Sequence, residues 1–419
     1  MFLTPREVIE VRERFGTPCY VYDRAALEDS ARRALAFPHA FGLTVRYALK
    51  ANSTRAILSL FRDLGLHADA SSDPEVDRAL RAGFAPGRIM LTSQAPSRRL
   101  EEFVGRGVLY NACSLHQLER FAIAFPGRDV TIRVNPGLGS GATNRVNTGG
   151  PASSFGIWHT RLSEAMALAA RHGVVVRGLH THIGSGSDPD VWTRVARMAL
   201  EIAERLPDVR LVNLGGGFSV ARMPGERGAD LQAVGAAVCD AFVEFKRRTG
   251  RALHLEIEPG TYLVANAGAI VASCIDLADT GPGGFRFAKL DAGMTELLRP
   301  SLYGAQHPIE VISAEGSAQA GHRPRAAVVF VGPNCETGDV LTPAPGDPEA
   351  LQPRETAAPE IGDLVVVGGA GAYSASMAAV NYNSYPSASE VLREAEGTFR
   401  LVRRRQSLDQ VVANEVDGG

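Results

Sequence analysis

From Val45 onward, short apolar runs alternate with stretches whose hydrophobic residues recur every three or four positions. The runs are VRYALK (45–50), LHADAS (66–71), RIMLTS (88–93), VLYNACS (108–114), VTIRVNP (130–136), VVVRGLHTHIG (174–184), VRLVNLGGG (209–217) and LHLEIEPG (253–260). Runs this short predict buried strands, and the amphipathic stretches between them, such as TRAILSLFRDLG (54–65) and DVWTRVARMALEIAERLP (190–207), predict helices. Ser72 and Glu75 have the spacing of a capping box, with Pro74 tolerated in the first helical turn. Eight strand–helix units in series predict an α/β fold, a (β/α)8 TIM-like barrel rather than a doubly wound sheet. After about Gly260 the texture turns β-rich, with runs at 262–280, 285–293, 325–333, 363–373 and 398–406 separated by Gly, Pro and Asp turns. This predicts a second, all-β domain, which the early strand PCYVYD (18–23) is placed to join. The expected division is residues 1–30 as an N-terminal segment joining the β domain, 31–265 as the barrel and 266–419 as the C-terminal β domain. The Pro- and Glu-rich stretch 342–360 reads as a surface loop.

Composition narrows the function classes. The chain has 419 residues, a net charge of −2 and 45% hydrophobic residues, with no apolar run long enough to span a bilayer. Near-neutral charge gives no reason to expect nucleic-acid or membrane partners. The N-terminal MFLTPREVIEVRERFG carries acids and a proline where an export signal needs an apolar centre. Five scattered cysteines (Cys19, Cys113, Cys239, Cys274, Cys335) without a CxxC pair suit a reducing cytoplasm.

In a (β/α)8 barrel, chemistry collects at the C-terminal ends of the strands. Lys50, Asp69, Arg133, His180, His182, the glycines of NLGGGF and Glu258 all fall there. Each has a plain structural explanation: a snorkelling lysine, an Asp69–Arg133 ion pair, a tight glycine turn. Their common position on six strands points instead to one site. Arg46, Ala48 and Lys50 alternate on one side of the first strand, which would bury the Lys50 amine, lower its pKa and suit it to a Schiff base. Gly215, Gly216 and Gly217 present consecutive amides, a nest for phosphate, although the run does not match a dinucleotide fingerprint. GLGSG (137–141) reads as a lid loop. A buried Glu258 needs a cationic partner, and a protonated pyridine nitrogen is one. His182 can stack on a planar ring. Lysine, phosphate nest, ring stacker and ring-nitrogen carboxylate together describe a pyridoxal 5'-phosphate (PLP) site. The competing reading is a zinc hydrolase using His180 and His182, for which the last strand ends offer too few further ligands, so no metal is expected.

YALKAN (47–52), HIGSG (182–186), NLGGGF (213–218), EPG (258–260), DAGMTELLRPSLYGAQH (291–307), CETGD (335–339) and GAYSASMAAVNYNSYP (371–386) resemble, in this order, the fold-type III PLP-dependent decarboxylases. Among these the diaminopimelate decarboxylases are most similar, and the resemblance runs from about Pro18 to the C-terminal RLVRRRQSLDQVV. It implies the alanine racemase/ornithine decarboxylase-like fold, with Lys50 joined to the cofactor aldehyde. It also implies that His182 stacks on the ring, Glu258 faces its nitrogen, and Asp69 and Arg133 support it. Ser185, Gly215, Gly216, Gly217 and Tyr373 would bind the phosphate. Arg299 and Tyr303 would hold the substrate's distal carboxylate, with Tyr373 and Glu336 also at the substrate. Cys335 and Glu336 would reach the partner's site in a homodimer with shared active sites, Cys335 returning a proton to Cα.

The chain departs from the pattern at several positions. Thr261 stands where the family has arginine after EPG, Ser154 where it has lysine, and Tyr385 where it has arginine before proline. CETGD and GAYSAS replace CESGD and GAYGAS. Arg145 in the lid could offset a lost cation. The implied activity is a cytoplasmic carboxy-lyase of lysine biosynthesis, converting meso-2,6-diaminopimelate to L-lysine. The alternatives are a sister decarboxylase acting on another amino acid in siderophore or secondary-metabolite synthesis, a PLP racemase, and a non-enzymatic PLP-binding regulator.

Overall fold

The computed structural model describes residues 1–139, 149–182, 186–314 and 323–416. They form two compact units, one made of Glu28–Val220 with Arg227–Leu263, the other of Met1–Leu27, Ala221–Glu226 and Val264–Gly419.

The first unit is a closed barrel of eight parallel strands: Leu43–Ala48, His67–Ala70, Ile89–Leu91, Leu109–Ala112, Asp129–Asn135, Val175–His180, Leu211–Asn213 and His254–Ile257. Closure comes from the last strand pairing with the first, Leu255 opposite Leu43 and Ile257 opposite Val45. The side-chain period of two then divides the first strand. Val45 and Tyr47 are buried, and the Tyr47 ring meets Phe61 on the helix side at 4.7 Å in an edge-on contact. Phe61 belongs to helix Arg55–Asp63, whose buried face is Ile57, Leu58, Leu60 and Phe61. Each such side chain contributes roughly 1.5–3 kcal/mol by leaving water. Helix Asp73–Arg81 starts at Ser72, whose hydroxyl accepts from the Glu75 amide; the Glu75 carboxylate takes the Ser71 amide at 2.6 Å, one residue earlier than a capping box would have it.

The barrel interior is polar. Arg46 and Glu256 form a buried bidentate pair at 2.9 and 2.7 Å. A Cβ at Gly178 would stand 2.3 Å from the Thr131 hydroxyl, so a glycine is needed where these two neighbouring strands crowd inward.

The second unit is built on a nine-stranded sheet. Strand Cys19–Asp23 lies inside it, antiparallel to Gly268–Asp279 and parallel to Ser389–Arg393. Helix Pro5–Phe15, capped reciprocally by Thr4 and Glu7, packs Val8 and Val11 onto Val21, Val271, Leu364, Val366 and Val391. Arg393 ties Glu7 and Asp23 together at 2.8 Å each. The stretch 342–360 is more than a surface loop. Pro343–Ala344 and Asp347–Leu351 form a two-stranded sheet, and Arg354–Ala357 joins the main sheet beside Arg325–Val331. Its turn-rich composition is overridden by the free edge of Arg325–Val331, whose backbone groups need partners. Among the described residues no helix is long and apolar enough to cross a membrane.

Candidate active site

The barrel strands bring their polar C-terminal residues into one ring. The first strand ends at Ala48, and Leu49–Ala51 form a single 3-10 turn, so the strand alternation does not extend to Lys50. Lys50 is therefore exposed rather than buried, which corrects the expectation of a desolvated amine. Its charge acts on Asp69, Glu75, Glu258 and His182, so it overlooks the ring from the rim.

Glu258 is the best-anchored member. Asn213 Nδ2 donates to its Oε1 at 2.7 Å, and His180 Nε2 lies 3.3 Å from its Oε2. Asn111 Nδ2 donates to His180 Nδ1 at 2.7 Å, which leaves the ring proton on Nε2 facing the carboxylate. At 3.3 Å and poorly aligned, the His180–Glu258 contact is electrostatic more than a formed hydrogen bond. Burial alone would raise the Glu258 carboxyl; His180 beside it, then His182 and Lys50, outweigh burial and hold it well below the usual range. Asp69 moves the other way, raised by burial and by the charge on Glu258 despite Lys50 and Thr92. The two carboxyls are thus shifted in opposite directions by their environments.

His182 is lowered well below its usual value by burial, then by Arg133 and Lys50, so it presents an uncharged ring. A Cβ at Gly215 would approach the His182 Nδ1 to 2.6 Å, and one at Gly216 would come 2.1 Å from the Glu258 carbonyl oxygen. Gly215 at φ 73 and Gly217 at φ 102 also occupy backbone conformations that favour glycine. The turn is bonded to the site, its Gly215 carbonyl accepting from the Glu258 amide at 2.8 Å and its Gly217 carbonyl from the Gly186 amide at 2.9 Å. Arg133 makes no ion pair with Asp69. Its guanidinium lies 4.8 Å from the Phe155 ring centroid, and its enclosed Nη2 has no hydrogen-bond partner among the described residues. Ser185 and the lid residue Arg145 lie outside the described residues.

These features fit PLP. The ring supplies an ionised carboxylate for a pyridinium, a flat neutral imidazole, a side-chain-free amide turn, an unsatisfied buried guanidinium and an amine. Asn111 and Asn213 are not assigned to it from sequence, and His180, placed at a strand end with the others, receives a role there only as a metal ligand. Their signal was present: polar residues at inward positions of short parallel strands need partners, and in a closed barrel those partners are one another.

In the β unit, Arg299 begins the short helix Arg299–Tyr303. Its guanidinium carbon lies 5.9 Å from the Tyr303 ring and 6.0 Å from the Tyr373 ring. The Cys335 turn is a separate construction. Buried Asp339 accepts from the Met294 amide (2.6 Å) and from Asn334 Nδ2 (2.6 Å), and Gly338 donates to the Glu336 carboxylate at 3.0 Å. The Cys335 amide bonds Asn383 Oδ1 at 2.9 Å, leaving the thiol side exposed. Among the described residues no hydrogen bond or ring contact joins this turn to Arg299.

Fold and site together define a PLP-dependent barrel enzyme, and residues 27–265 match the family described as pyridoxal-dependent decarboxylase, pyridoxal binding domain. The chain is 38% identical over 410 residues to diaminopimelate decarboxylase of Streptomyces coelicolor, covering 96% of this chain and 90% of that one. It is 36% identical over 423 residues to diaminopimelate decarboxylase of Escherichia coli K12, covering 99% and 97%. A crystal structure of diaminopimelate decarboxylase superposes with a TM-score of 0.91 at 34% identity, covering 98% of this chain and 96% of that one. The Helicobacter pylori enzyme complexed with L-lysine gives 0.85 at 28%, covering 96% and 98%. The chain belongs to the pyridoxal-dependent decarboxylase family, among the diaminopimelate decarboxylase-like members, and is a PLP-dependent carboxy-lyase.

Proposed function

We propose that this chain converts meso-2,6-diaminopimelate to L-lysine and CO2, in the cytoplasm and as a homodimer. The reading rests chiefly on Glu258, a buried carboxylate kept ionised by His180 and Asn213 beside the uncharged ring of His182. PLP, when bound, supplies an aldehyde that joins an amine and a protonated ring that accepts the electrons of a breaking Cα–carboxylate bond. Lys50 would provide the amine that holds the cofactor. Glu258 would hold the proton on the ring nitrogen, and His182 would offer its uncharged imidazole to the ring. Gly215, Gly216, Gly217, Ser185 and Tyr373 hold the phosphate, with Asp69 and Arg133 in support. Arg299, Tyr303, Tyr373 and Glu336 bind the end of the substrate that does not react. One carboxylate leaves as CO2, and Cys335 from the second subunit delivers the single proton that replaces it on Cα. In the same reading residues 31–265 are the PLP-binding barrel, 266–419 the C-terminal β domain, and 1–30 an N-terminal segment that joins the β domain.

A sister decarboxylase acting on another amino acid is the second reading, favoured by Thr261 and Ser154, which stand in place of two family cations. Measuring CO2 release across a panel of amino acids decides between them: meso-diaminopimelate is expected to give L-lysine. No lysine from it, with good turnover of another amino acid, refutes the substrate and keeps the class. Borohydride treatment of the loaded protein is expected to fix the cofactor on Lys50; a label on Lys246 or Lys289 would overturn the site.

A further inference from the structure

The β unit holds two arginines close together without an acid to neutralise them. Arg222 Nε donates to the Gly369 carbonyl at 3.1 Å, while its Nη2 is enclosed and has no hydrogen-bond partner among the described residues. Gly369, at φ +65, makes room for this side chain, since a Cβ there would come 2.9 Å from the Arg222 Cδ. Along the same loop Tyr373 adopts φ 54, a conformation costly for a bulky residue and tolerated where its surroundings hold it. Its ring faces Arg299, whose Nε is likewise enclosed and unpartnered. His307 completes the cluster. It is fully buried, donates from Nδ1 to the Gly368 carbonyl at 2.9 Å, and is pushed down to about 3 by burial and then by Arg222. It is therefore neutral and adds no charge.

Neither arginine has an ion-pair partner among the described residues. Glu226, the acid whose charge acts on Arg222, directs its carboxylate to the backbone amides of Arg222 (2.7 Å) and Met223 (3.1 Å). Burial, then the charge on Arg299, pushes Arg222 down to about 9. Two neighbouring guanidiniums with enclosed, unused N–H groups are an unfavourable arrangement that an anion relieves, because its oxygens satisfy both the charge and the donors.

We propose that Arg222 joins Arg299 in binding one carboxylate of the amino-acid ligand, making Arg222 a specificity-determining residue that favours substrates with a second carboxylate. The family pattern noted above has arginine where this chain has Thr261, and in this proposal Arg222 supplies a guanidinium to the ligand from elsewhere in the chain. The proposal rests on the decarboxylase reading above. The cofactor's phosphate offers the same anionic oxygens, so the test must separate the two sources.

The test compares wild type, Arg222→Gln and Arg222→Lys. Glutarate, a dicarboxylate with no amine, is titrated calorimetrically into the PLP-loaded protein, and PLP into the cofactor-free protein. Arg222→Gln is expected to weaken glutarate binding by about tenfold or more, as loss of a charge-assisted bond implies, with partial recovery in Arg222→Lys. PLP affinity stays unchanged, and KM for meso-diaminopimelate rises more than kcat falls. The Tm of ligand-free Arg222→Gln does not fall, because the change removes one of two like charges. Equal glutarate affinity in all three proteins overturns the proposal, as does a loss of PLP affinity matching the loss for glutarate. A lowered Tm with unchanged glutarate binding marks Arg222 as merely structural and overturns it too. A wild type that binds glutarate through Arg222 yet leaves meso-diaminopimelate untouched refutes the substrate reading and supports the clamp.

Discussion

The polar floor of the barrel makes the most quantitative prediction. Arg46 and Glu256 sit at 2.9 and 2.7 Å in bidentate contact, each side chain 3% exposed. Asn213 Nδ2 bridges from Glu256 Oε2 (3.3 Å) to Glu258 Oε1 (2.7 Å), so the pair also braces the carboxylate of the site. Glu256→Ala leaves a guanidinium buried without its counter-charge, which costs about 3–5 kcal/mol. At roughly 2–4 °C per kcal/mol for a unit of this size, the Tm falls by about 6–20 °C. The double replacement Arg46→Met with Glu256→Leu removes both charges at similar volume and is expected to restore most of the loss. Urea unfolding of the cofactor-free proteins measures both changes without ligand binding adding to stability. A single variant that loses less than about 1 kcal/mol, the scale of an exposed pair, refutes the reasoning, as does a double variant no better than the single.

The opposite shifts of Asp69 and Glu258 predict stability slopes of opposite sign. Asp69 is raised in the folded state, so its contribution is present below its usual carboxylate value and lost as pH rises through the folded value; Asp69→Asn is expected to flatten the fall in the urea midpoint as pH rises above the usual carboxylate range, and parallel curves refute this. Glu258 is depressed, so its contribution is present above its usual value and lost as pH falls through the lower folded one; Glu258→Gln is expected to flatten the acid side and to lower kcat/KM by about tenfold or more, and full activity with bound cofactor refutes its role. If the site is shared between subunits, mixing inactive Lys50→Ala with inactive Cys335→Ala protein restores part of the activity, and no recovery under demonstrated subunit exchange refutes the sharing.

The sequence by itself determined the barrel and the chemistry of its rim. Apolar runs of strand length alternating with helical periodicity leave few ways to bury both patterns, and a glycine run or a carboxylate before Pro-Gly marks a strand end without reference to any partner. Periodicity also set Arg46 and Tyr47 on opposite faces, as found. It could not carry past Ala48, because the 3-10 turn at Leu49–Ala51 ends the alternation and leaves Lys50 exposed at the rim. What a polar residue pairs with was decided only in three dimensions. Arg46 finds Glu256 because the barrel closes between residues 210 positions apart, and Glu258 lies against His180 because the strand between theirs, Leu211–Asn213, is in register with both. The edge that drew Arg354–Ala357 into the sheet, and the glycine loop that received Arg222, are likewise supplied by distant segments. Local pattern sets which face a side chain takes, since that depends on neighbours in the chain; its ionisation and its partner depend on burial and on charges that only folding brings near.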